Sequence, residues 1–353
     1  MPAASTLRSL AAEAGVSPMT VSLALRNSSE ISAALRERLQ RLAAARGYRP
    51  DPHVAKLMHH LRTRAPARAT ANICGLTLNW PRGTSVGPYG ERLLAGLMER
   101  AESLGFSFGT LRLDDYPTRS ALQRVLVSRG VEGILVLPLR EPCDLSDRLD
   151  WSAFSVVSAT SSLVGPDFHT VMPSHFSNML HACQQLTQAG FRRIGLAISR
   201  IWDERVQHRW AGGIAWHNQF GGTEPVLPLI QEGPRAELDP ATLARWISRE
   251  WPDAVIVDPL DSTLIERVVA TLPVKSCPAM VAMNLPNPAA DCGIDQRVER
   301  IGAVAIETLA AMITRGERGI PELCNAVMVA GQWVPGMPRE APPAQPRKTQ
   351  KRR

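Results

Sequence analysis

The stretch TLRSLAAEAGVSPMTVSLALRN, residues 6–27, decides the architecture of the N-terminal part of the chain. Its first half has the i, i+3, i+4, i+7 apolar spacing of one helix face, at Leu7, Leu10, Ala11 and Ala14. Gly15 can end this helix in the left-handed conformation, and Ser17 followed by Pro18 can cap and start a second helix. Two short helices joined by a tight, Gly-containing turn are typical of a helix-turn-helix motif.

Two further helices are predicted after this motif. Ser32 can cap a third helix that ends at Gly47 and turns its apolar residues inward, namely Leu35, Leu39, Leu42 and Ala43. The pair Asp51-Pro52 repeats the cap-then-proline start, and one apolar stripe follows it, formed by Val54, Leu57, Met58 and Leu61. A helix this short is marginal alone in water. Packing on the body of the protein is one interpretation of it.

The charge of the chain is unevenly distributed. The sequence has 353 residues and a formal net charge of +7. Residues 1–71 contain 11 Lys/Arg against 4 Asp/Glu, and residues 337–353 contain 6 against 1, which leaves −5 for the segment between them. Basic ends on a mildly acidic body predict a polyanionic partner. Residues 62–71 are interpreted as a basic linker along a DNA backbone, and residues 337–353 as a disordered basic tail.

Composition excludes several classes of protein. Hydrophobic residues make up 44% and charged residues 21%, which is ordinary for a globular protein. No apolar run approaches the roughly 18 residues of a membrane span, and the N-terminus lacks the regions of a signal peptide. The six cysteines are scattered without a C-x-x-C pair, as expected of reduced thiols. A cytoplasmic protein without a membrane role is predicted.

The sequence contains no motif for catalysis. It has no G-x-S-x-G elbow, no Gly-rich phosphate loop and no H-E-x-x-H. Ser174-His175 is a lone adjacent pair, and adjacent side chains on a helix point in different directions. A metal site is not expected at three histidines without ligand-spaced cysteines, which are His53, His59 and His60. No enzyme activity, no metal and no cofactor are predicted.

From residue 72 onward, strand-like apolar runs alternate with helical patterns. The predicted strands are Ile73–Leu78, Phe106–Leu111, Gly133–Leu137, Ile194–Ile198, Val226–Ile230, Ala254–Val257 and Met280–Met283. The predicted helices are Tyr89–Leu104, Arg119–Ser128, His175–Ala189, Glu204–Trp216, Pro240–Ser248, Thr263–Ala270 and Arg297–Thr314. Such alternation makes parallel sheets flanked by helices, with strands enough for two sheets. Residues 72–336 are predicted to form a two-lobed α/β body with a ligand cleft.

Many N-terminal positions follow one known pattern in order. They are Thr6-Leu7, Ala11, Ala14-Gly15-Val16-Ser17, Thr20-Val21-Ser22, Asn27, Ile31-Ser32, Arg36, Gly47-Tyr48, Pro50, Ala55 and Leu57. In these residues the chain resembles the headpiece of the LacI/GalR family of transcription regulators. The resemblance implies a small all-α DNA-binding headpiece with a hinge helix over residues 1–61. It also implies a periplasmic-binding-protein-like body and a sequence-specific transcription regulator, with repression as the expected mode.

The resemblance implies that the second helix, about Pro18 to Arg26, lies in the major groove of DNA. Three hydroxyls can bond phosphates or, alternatively, cap the helix, and they are Ser17, Thr20 and Ser22. The family's main base readers fall where this chain has Pro18, Met19 and Leu23, which lack ordinary side-chain hydrogen bonds. Readout is therefore expected to use thymine methyl groups, helped by Arg26. The other implied DNA-contacting residues are Thr6, Ser32, Tyr48, Val54 and Leu57.

For the short helix after Asp51, the resemblance implies folding on DNA rather than on the body. The helix would pair with its dimer mate in the minor groove and insert Leu57 between two central base pairs. This symmetric wedge, with one headpiece per half-site, predicts a homodimer on pseudo-palindromic double-stranded operator DNA. When bound, the protein would lie on the nucleoid.

The resemblance continues more weakly in the body, at Gln188-Ala189-Gly190-Phe191-Arg192-Arg193-Ile194-Gly195, Arg209-Trp210-Ala211-Gly212, Gly293-Ile294-Asp295-Gln296 and Ile301-Gly302. Arg209 matches a family effector-binding arginine, although a surface ion pair is the alternative for it. Gln296 matches a cleft glutamine, and Asp295 beside it is a polar candidate. The effector is expected to be a small molecule, with a sugar as one candidate.

Three further residues are expected near the effector. Asn284 stands where the family places a sugar-binding aspartate, so a ligand with a carboxylate or carbonyl group is admissible there. Trp80 and Tyr89 can stack on the apolar face of a sugar ring, and core packing is the alternative for both. Ligand binding between the lobes is expected to modulate DNA binding.

Overall fold

The computed structural model describes residues 7–25, 31–46, 48, 72–80, 82, 86–233, 237–258, 262–272, 277–287 and 289–336. The predicted hinge helix, basic linker and C-terminal tail lie outside these residues, as do Thr6, Arg26, Val54 and Leu57. Met19 and Ser22 are described by their backbone alone.

The described residues of the headpiece form three helices, α1 (Leu7–Ala14), α2 (Pro18–Leu25) and α3 (Ala33–Ala45). The predicted helix-turn-helix is confirmed, because α2 begins four residues after α1 ends, and Gly15 between them has a φ of 69°. Of the residues placed inward by their helical spacing, Leu35 and Leu42 are partly buried. The fully buried side chains of the headpiece are Leu10, Ala11, Ala14, Val21, Ala24, Leu39 and Ala43. These side chains form one small core shared by the three helices.

Two serines begin helices of the headpiece. The Ser32 hydroxyl accepts a hydrogen bond from the backbone N–H of Leu35 at 3.3 Å, which confirms Ser32 as the cap of α3. The Ser17 hydroxyl accepts one from the backbone N–H of Thr20 at 3.1 Å. A cap of this type stabilises a helix by about 1 kcal/mol. Both ends are therefore fixed by contacts within three residues of sequence.

The described part of the body contains two six-stranded sheets, one in each lobe, and a two-stranded pairing. The strands are β1 (Asn72–Thr77), β2 (Ser107–Arg112), β3 (Val131–Val136), β4 (Cys143–Asp144), β5 (Ser155–Ser158), β6 (Leu163–Gly165), β7 (His169–Pro173), β8 (Ile194–Ser199), β9 (Leu229–Gln231), β10 (Ala254–Asp258), β11 (Ala279–Ala282), β12 (Cys292–Asp295), β13 (Ala326–Val329) and β14 (Gln332–Val334). The first lobe has the order β13-β7-β5-β3-β1-β2, with parallel neighbours throughout. The second has β14-β12-β11-β10-β8-β9, in which β14 alone is antiparallel.

Helices cover both sheets. They are α4 (Gly87–Ser103), α5 (Arg119–Ser128), α6 (His175–Gln188), α7 (Arg200–Arg205), α8 (Arg209–Phe220), α9 (Pro240–Glu250), α10 (Ser262–Val269) and α11 (Val298–Arg315). Each sheet is buried on both faces, with one apolar cluster above it and another below. The predicted α/β body with two parallel sheets is confirmed.

The chain passes between the lobes three times, after β7, after β12 and after β13. Because α11 follows β12 yet packs on α4, the helix returns the chain to the first lobe. The two helices cross very closely: a Cβ added at Gly96 would lie 2.1 Å from the backbone oxygen of Glu299, and one at Gly302 would lie 2.7 Å from that of Leu93. Glycine is therefore required on both sides of this crossing.

The structure corrects the predicted helix Glu204–Trp216. It is two helices, α7 and α8, separated by Val206, Gln207 and His208, and the last two have φ values of 54° and 57°. Asp203 holds this break, since its carboxylate lies 2.7 Å from Nδ1 of His208 and its backbone oxygen accepts the His208 N–H. Helical periodicity continues across such a break, so the sequence pattern did not reveal it.

The strand prediction was incomplete. Val226 belongs to the core of the second lobe, and the strand predicted from it is limited to β9. The short strands β4, β5, β6, β7, β12, β13 and β14 were not predicted. They have two to five residues each, too few for an alternating pattern to stand out. Among the described residues, no helix combines the length and hydropathy needed to cross a membrane.

Candidate functional site

The outer face of α2 is the candidate DNA-binding surface. Val21 and Ala24 are buried against the other two helices, while Pro18 is exposed and Leu23 is partly exposed. The hydroxyls of Ser17 and Thr20 lie 2.9 Å apart at the start of this face. The helix therefore presents an apolar surface with hydroxyls at its N-terminal end.

Two other predicted DNA-contacting residues have structural roles in the headpiece. Ser32 is exposed at the start of α3, where it acts as a cap. Tyr48 is partly buried, packs against the headpiece core, and donates its backbone N–H to the oxygen of Ala43 at 2.9 Å. Each side chain also has a solvent-accessible part, so these roles are compatible with DNA contact.

A cavity of about 270 Å³ lies between the two lobes and is called the interlobe cavity below. The first lobe contributes Trp80, Val86, Tyr89, Gly90, Pro138, Arg140, Ala159, Thr160, Ser161, Ser162 and Pro173. The second lobe contributes His175, Trp202, Arg205, Val206, Trp210, Asp258, Asn284 and Gln296. Most of these residues end a strand or follow its carboxyl end, where open α/β sheets bind ligands.

Three charged side chains line the interlobe cavity. Arg140 comes from the first lobe, and Arg205 and Asp258 come from the second. Burial raises the pKa of Asp258 to about 7, although Arg205 acts in the opposite direction. Burial also lowers the pKa of Arg205, which nonetheless stays a cation. Near neutral pH, these three groups therefore carry a net positive charge.

The titratable rings of the cavity are neutral. The pKa of His175 is lowered to about 3, mainly by burial and less by the cations of Arg209 and Arg205. Burial raises the pKa of Tyr89 to about 12, so its phenol keeps its proton. The His175 ring meets the Trp210 ring edge to face, with 5.6 Å between the ring centres.

Four polar nitrogens in the cavity walls have no hydrogen-bond partner among the described residues. They are Nδ1 of His175, Nε1 of Trp202, Nε of Arg205 and Nε1 of Trp210. The guanidinium carbon of Arg205 lies 3.9 Å from the centre of the Trp202 ring, so the cation is stacked on an indole. Buried donors without partners cost about 1 to 3 kcal/mol each.

Four of the six residues predicted to bind the effector lie together in the interlobe cavity, namely Trp80, Tyr89, Asn284 and Gln296. Trp80 donates its indole N–H to the oxygen of Pro138 at 2.8 Å. The Gln296 amide donates to the backbone oxygen of Met283, so this side chain also holds the wall of the second lobe.

The other two predicted residues, Arg209 and Asp295, are not among those lining this cavity. The guanidinium of Arg209 lies 3.0 Å from the sulfur of Met172, which lines a neighbouring cavity of about 170 Å³. Asp295 forms an ion pair with Arg92 at 2.9 Å. Effector contact by either residue stays a prediction.

The sequence reading missed Arg205, Arg140 and Asp258 as cavity residues. Asp258 ends β10, so its position at the carboxyl end of an apolar run was a usable signal. Arg205 had no comparable signal, because it was predicted to lie in the first turn of the helix Glu204–Trp216. The break at Gln207 and His208 instead ends α7 at Arg205.

Residues 6–51 match the family model of bacterial regulatory proteins, lacI family. The match includes all three described helices of the headpiece. A curated relative, the HTH-type transcriptional repressor CytR of Escherichia coli (strain K12), is 24% identical over 194 residues. This region covers 54% of the chain and 53% of CytR, so the chain spans about half the length of the curated relatives it matches.

Solved structures resemble the fold over nearly the whole chain. The lac repressor dimer bound to operator and the anti-inducer ONPF has a TM-score of 0.56 at 16% identity, and the alignment covers 96% of this chain and 99% of that one. The complex of the transcriptional regulator CelR with cellobiose has a TM-score of 0.52 at 18% identity, with 96% and 99% covered.

The described chain combines a helix-turn-helix headpiece with a two-lobed α/β body, as these solved structures do. Residues 6–51 of the chain match the lacI family of bacterial regulatory proteins, and the whole chain has the same fold as the lac repressor and CelR.

Proposed function

We propose that this protein is a sequence-specific DNA-binding transcription regulator, most simply a repressor, that responds to a small molecule bound between its lobes. The observation that carries the proposal is the headpiece: residues 6–51 match the lacI family model, and their helices pack as a helix-turn-helix. Its place would be the cytoplasm, on the nucleoid when bound. No catalytic role is proposed.

The DNA partner is proposed to be a pseudo-palindromic operator bound by a homodimer. One headpiece would read each half-site in the major groove. The exposed Pro18 and the partly exposed Leu23 suit contact with thymine methyl groups. Ser17 and Thr20 suit phosphate contact, which fixes the register of the helix. The dimer bound to operator in the lac repressor structure supports this arrangement.

The effector is proposed to be a sugar or a related metabolite in the interlobe cavity. The cavity takes residues from both lobes, and CelR, which has a similar fold, was solved with cellobiose. Trp80 and Tyr89 offer flat faces for a ring, and Asn284 and Gln296 offer amides. Arg209 and Asp295 remain candidates that would have to move toward the ligand.

Coupling between effector and DNA is proposed to act through the angle between the lobes. Arg92 on α4 pairs with Asp295 at 2.9 Å and with Glu299 at 2.5 Å, and it also donates to the backbone oxygen of Leu285. This cluster holds the lobes together beside the cavity. A ligand that prefers one lobe angle shifts the population of that state, typically by about 1 to 3 kcal/mol.

Selection of binding sites from a random DNA library tests the proposed function. The full chain should enrich a pseudo-palindrome, and Leu23→Glu should abolish binding to it by placing a negative charge in the groove. Val127→Glu adds the same charge on an exposed position of α5 and should bind normally. Failure to enrich any sequence, or equal binding by the two variants, would contradict the proposal.

A further inference from the structure

The interlobe cavity has a wall rich in unpartnered hydrogen-bond donors. The indole N–H groups of Trp202 and Trp210 have no hydrogen-bond partner among the described residues. The Nε–H of Arg205 has none either. An indole nitrogen and a guanidinium can only donate. Trp210 is 2% exposed, so its N–H cannot be satisfied by bulk water. The wall therefore suits a ligand group that only accepts hydrogen bonds.

The charge of the same region favours an anion. No described carboxylate forms an ion pair with Arg205, whose guanidinium is mostly buried and stacked on Trp202. Arg140 is a second cation on the opposite lobe. Asp258 is the one acidic side chain among the described lining residues, and its burial favours the neutral acid. Asp258 attracts Arg205 electrostatically but forms no ion pair with it among the described residues, so it is only a partial counterion. A bound anion would reduce the cost of burying the Arg205 cation.

The remaining walls favour a ring. Tyr89 and Trp80 line the cavity beside the small residues Gly90 and Ala159, and both rings also pack against the core of the first lobe. An aromatic lining of this kind suits a flat ligand. The volume of about 270 Å³ is at the small end for ligand pockets, which suits a single ring with one substituent.

We propose that the interlobe cavity binds a small ring-bearing monocarboxylate. Its carboxylate accepts hydrogen bonds from Arg205, Trp202 and Trp210, and its ring lies between Tyr89 and Trp80. This rests on the proposed function in one respect, since it assumes that the cavity is the effector site. An aromatic acid and a sugar acid share this chemistry.

A neutral sugar fits the donor wall less well. Each sugar hydroxyl donates as well as accepts, so it needs acceptors in the protein, such as ionised carboxylates. The hydroxyls of Thr160, Ser161 and Ser162 already form hydrogen bonds within the protein. The carboxyl and amide acceptors of the described wall are Asp258, whose pKa near 7 leaves it partly protonated, and the amide oxygens of Asn284 and Gln296. A carboxylate, in contrast, accepts from every donor of the wall without needing an acceptor itself.

Calorimetric titration of the full chain with matched pairs of probes tests the proposal. The aromatic pairs are benzoate with benzamide and phenylacetate with phenylacetamide, and the sugar pairs are galacturonate with galactose and glucuronate with glucose. At least one acid should bind at millimolar concentration or below, at least roughly tenfold more tightly than its neutral counterpart. The pair that responds distinguishes an aromatic acid from a sugar acid.

Two matched tryptophan substitutions locate the carboxylate. Trp210→Phe removes an unpartnered N–H, so it should weaken binding of the responding acid by roughly tenfold. The melting temperature should fall less than in the control variant Trp246→Phe, because no hydrogen bond within the protein is lost. Trp246→Phe removes an N–H that donates to the backbone oxygen of Leu227 at 2.9 Å, away from the cavity. This control should lower thermal stability and keep the affinity. Arg205→Gln, checked for folding by circular dichroism, should abolish binding of the acid.

The proposal is overturned if no acid binds, if a neutral counterpart binds as tightly as its acid, or if Trp210→Phe and Trp246→Phe change affinity equally. These outcomes differ from failure of the proposed function, which is measured separately as the absence of an enriched DNA site. If the protein binds an acid but selects no DNA sequence, the ligand assignment is supported and the proposed regulatory function is contradicted.

Discussion

The headpiece and the interlobe cavity differ in the distance along the chain over which their residues cooperate. In the headpiece, Ser17 contacts Thr20 and Ser32 contacts Leu35, three residues away in each case. The cavity instead combines Trp80 with Gln296, from opposite ends of the body. A surface built from neighbours is encoded locally, whereas a cavity built from distant residues depends on how the sheets and crossovers are arranged.

The two regions also differ in whether their polar groups have hydrogen-bond partners. The headpiece serines satisfy backbone donors at helix starts, as caps do in general. The cavity leaves the nitrogens of Trp202, Arg205 and Trp210 without partners in the described chain. Unpartnered polar groups in a folded protein mark places where local stability is sacrificed, commonly for binding.

Breaking the small headpiece core should have the largest effect. Ala24 is 0% exposed between the helices, so Ala24→Asp buries an unpaired charge, costing several kcal/mol, comparable to the whole stability of a small domain. We expect complete loss of DNA binding in a gel-shift assay, while the melting transition of the body is unchanged. Ala44→Asp, at an exposed position of α3, should keep most DNA binding. Normal DNA binding by Ala24→Asp would show that the headpiece core is not required.

Asp258 should make the body less stable as the pH rises. Its folded pKa of about 7 lies above its ordinary value of 3.8, so the folded protein holds a proton that the unfolded chain releases between these values. Asp258→Asn removes this pH dependence. Its free energy of unfolding, relative to that of the natural protein, should therefore rise by up to about 4 kcal/mol from pH 4 to pH 8. Chemical denaturation at both pH values measures the difference. The contribution of His175 is the same in both proteins, so it cancels in the difference. If the stability difference between the two proteins is the same at pH 4 and pH 8, the raised pKa of Asp258 is refuted.

The crossing of α4 and α11 should tolerate no side chain at Gly96. A Cβ there meets the backbone of Glu299 at 2.1 Å, so Gly96→Ala should destabilise the body by about 3 kcal/mol. Gly109 has nothing within 4 Å of the corresponding position, and Gly109→Ala should be nearly neutral. Thermal melts of both variants measure the contrast. Equal melting temperatures would mean that the helices cross less closely.

The smallest expected effect is local to the headpiece. Ser32→Ala removes the cap of α3 and should destabilise the headpiece by about 1 kcal/mol. DNA binding should weaken only in proportion to the fraction of headpieces that become unfolded. Ser248→Ala, at an exposed position of α9, serves as the control and should change neither quantity. Much weaker DNA binding without a change in headpiece stability would instead indicate direct contact of Ser32 with DNA.

Sequence reasoning succeeded unevenly in the two regions. The helix faces of the headpiece, the Gly15 stop and the Ser32 cap followed from spacing and residue type. In the body, the alternation predicted the central strands and most helices. It also predicted Trp80 and Asn284, which do line the cavity. The resemblance assigned effector binding to Arg209, whereas the described cavity is lined by Arg205, four residues earlier and on the other side of the helix break.

By itself, the sequence determined the elements whose stabilising contacts lie within a few residues: the three headpiece helices with their turn and caps, and the alternation that makes the body an α/β fold. Only the tertiary structure decided the close crossing at Gly96 and Gly302, the helix break held by Asp203, and the stacking of Arg205 on Trp202 in a cavity that Trp210 also lines. The physical reason is that burial and hydrogen-bond satisfaction depend on residues far apart in the chain, whose approach is fixed only when the two lobes are packed.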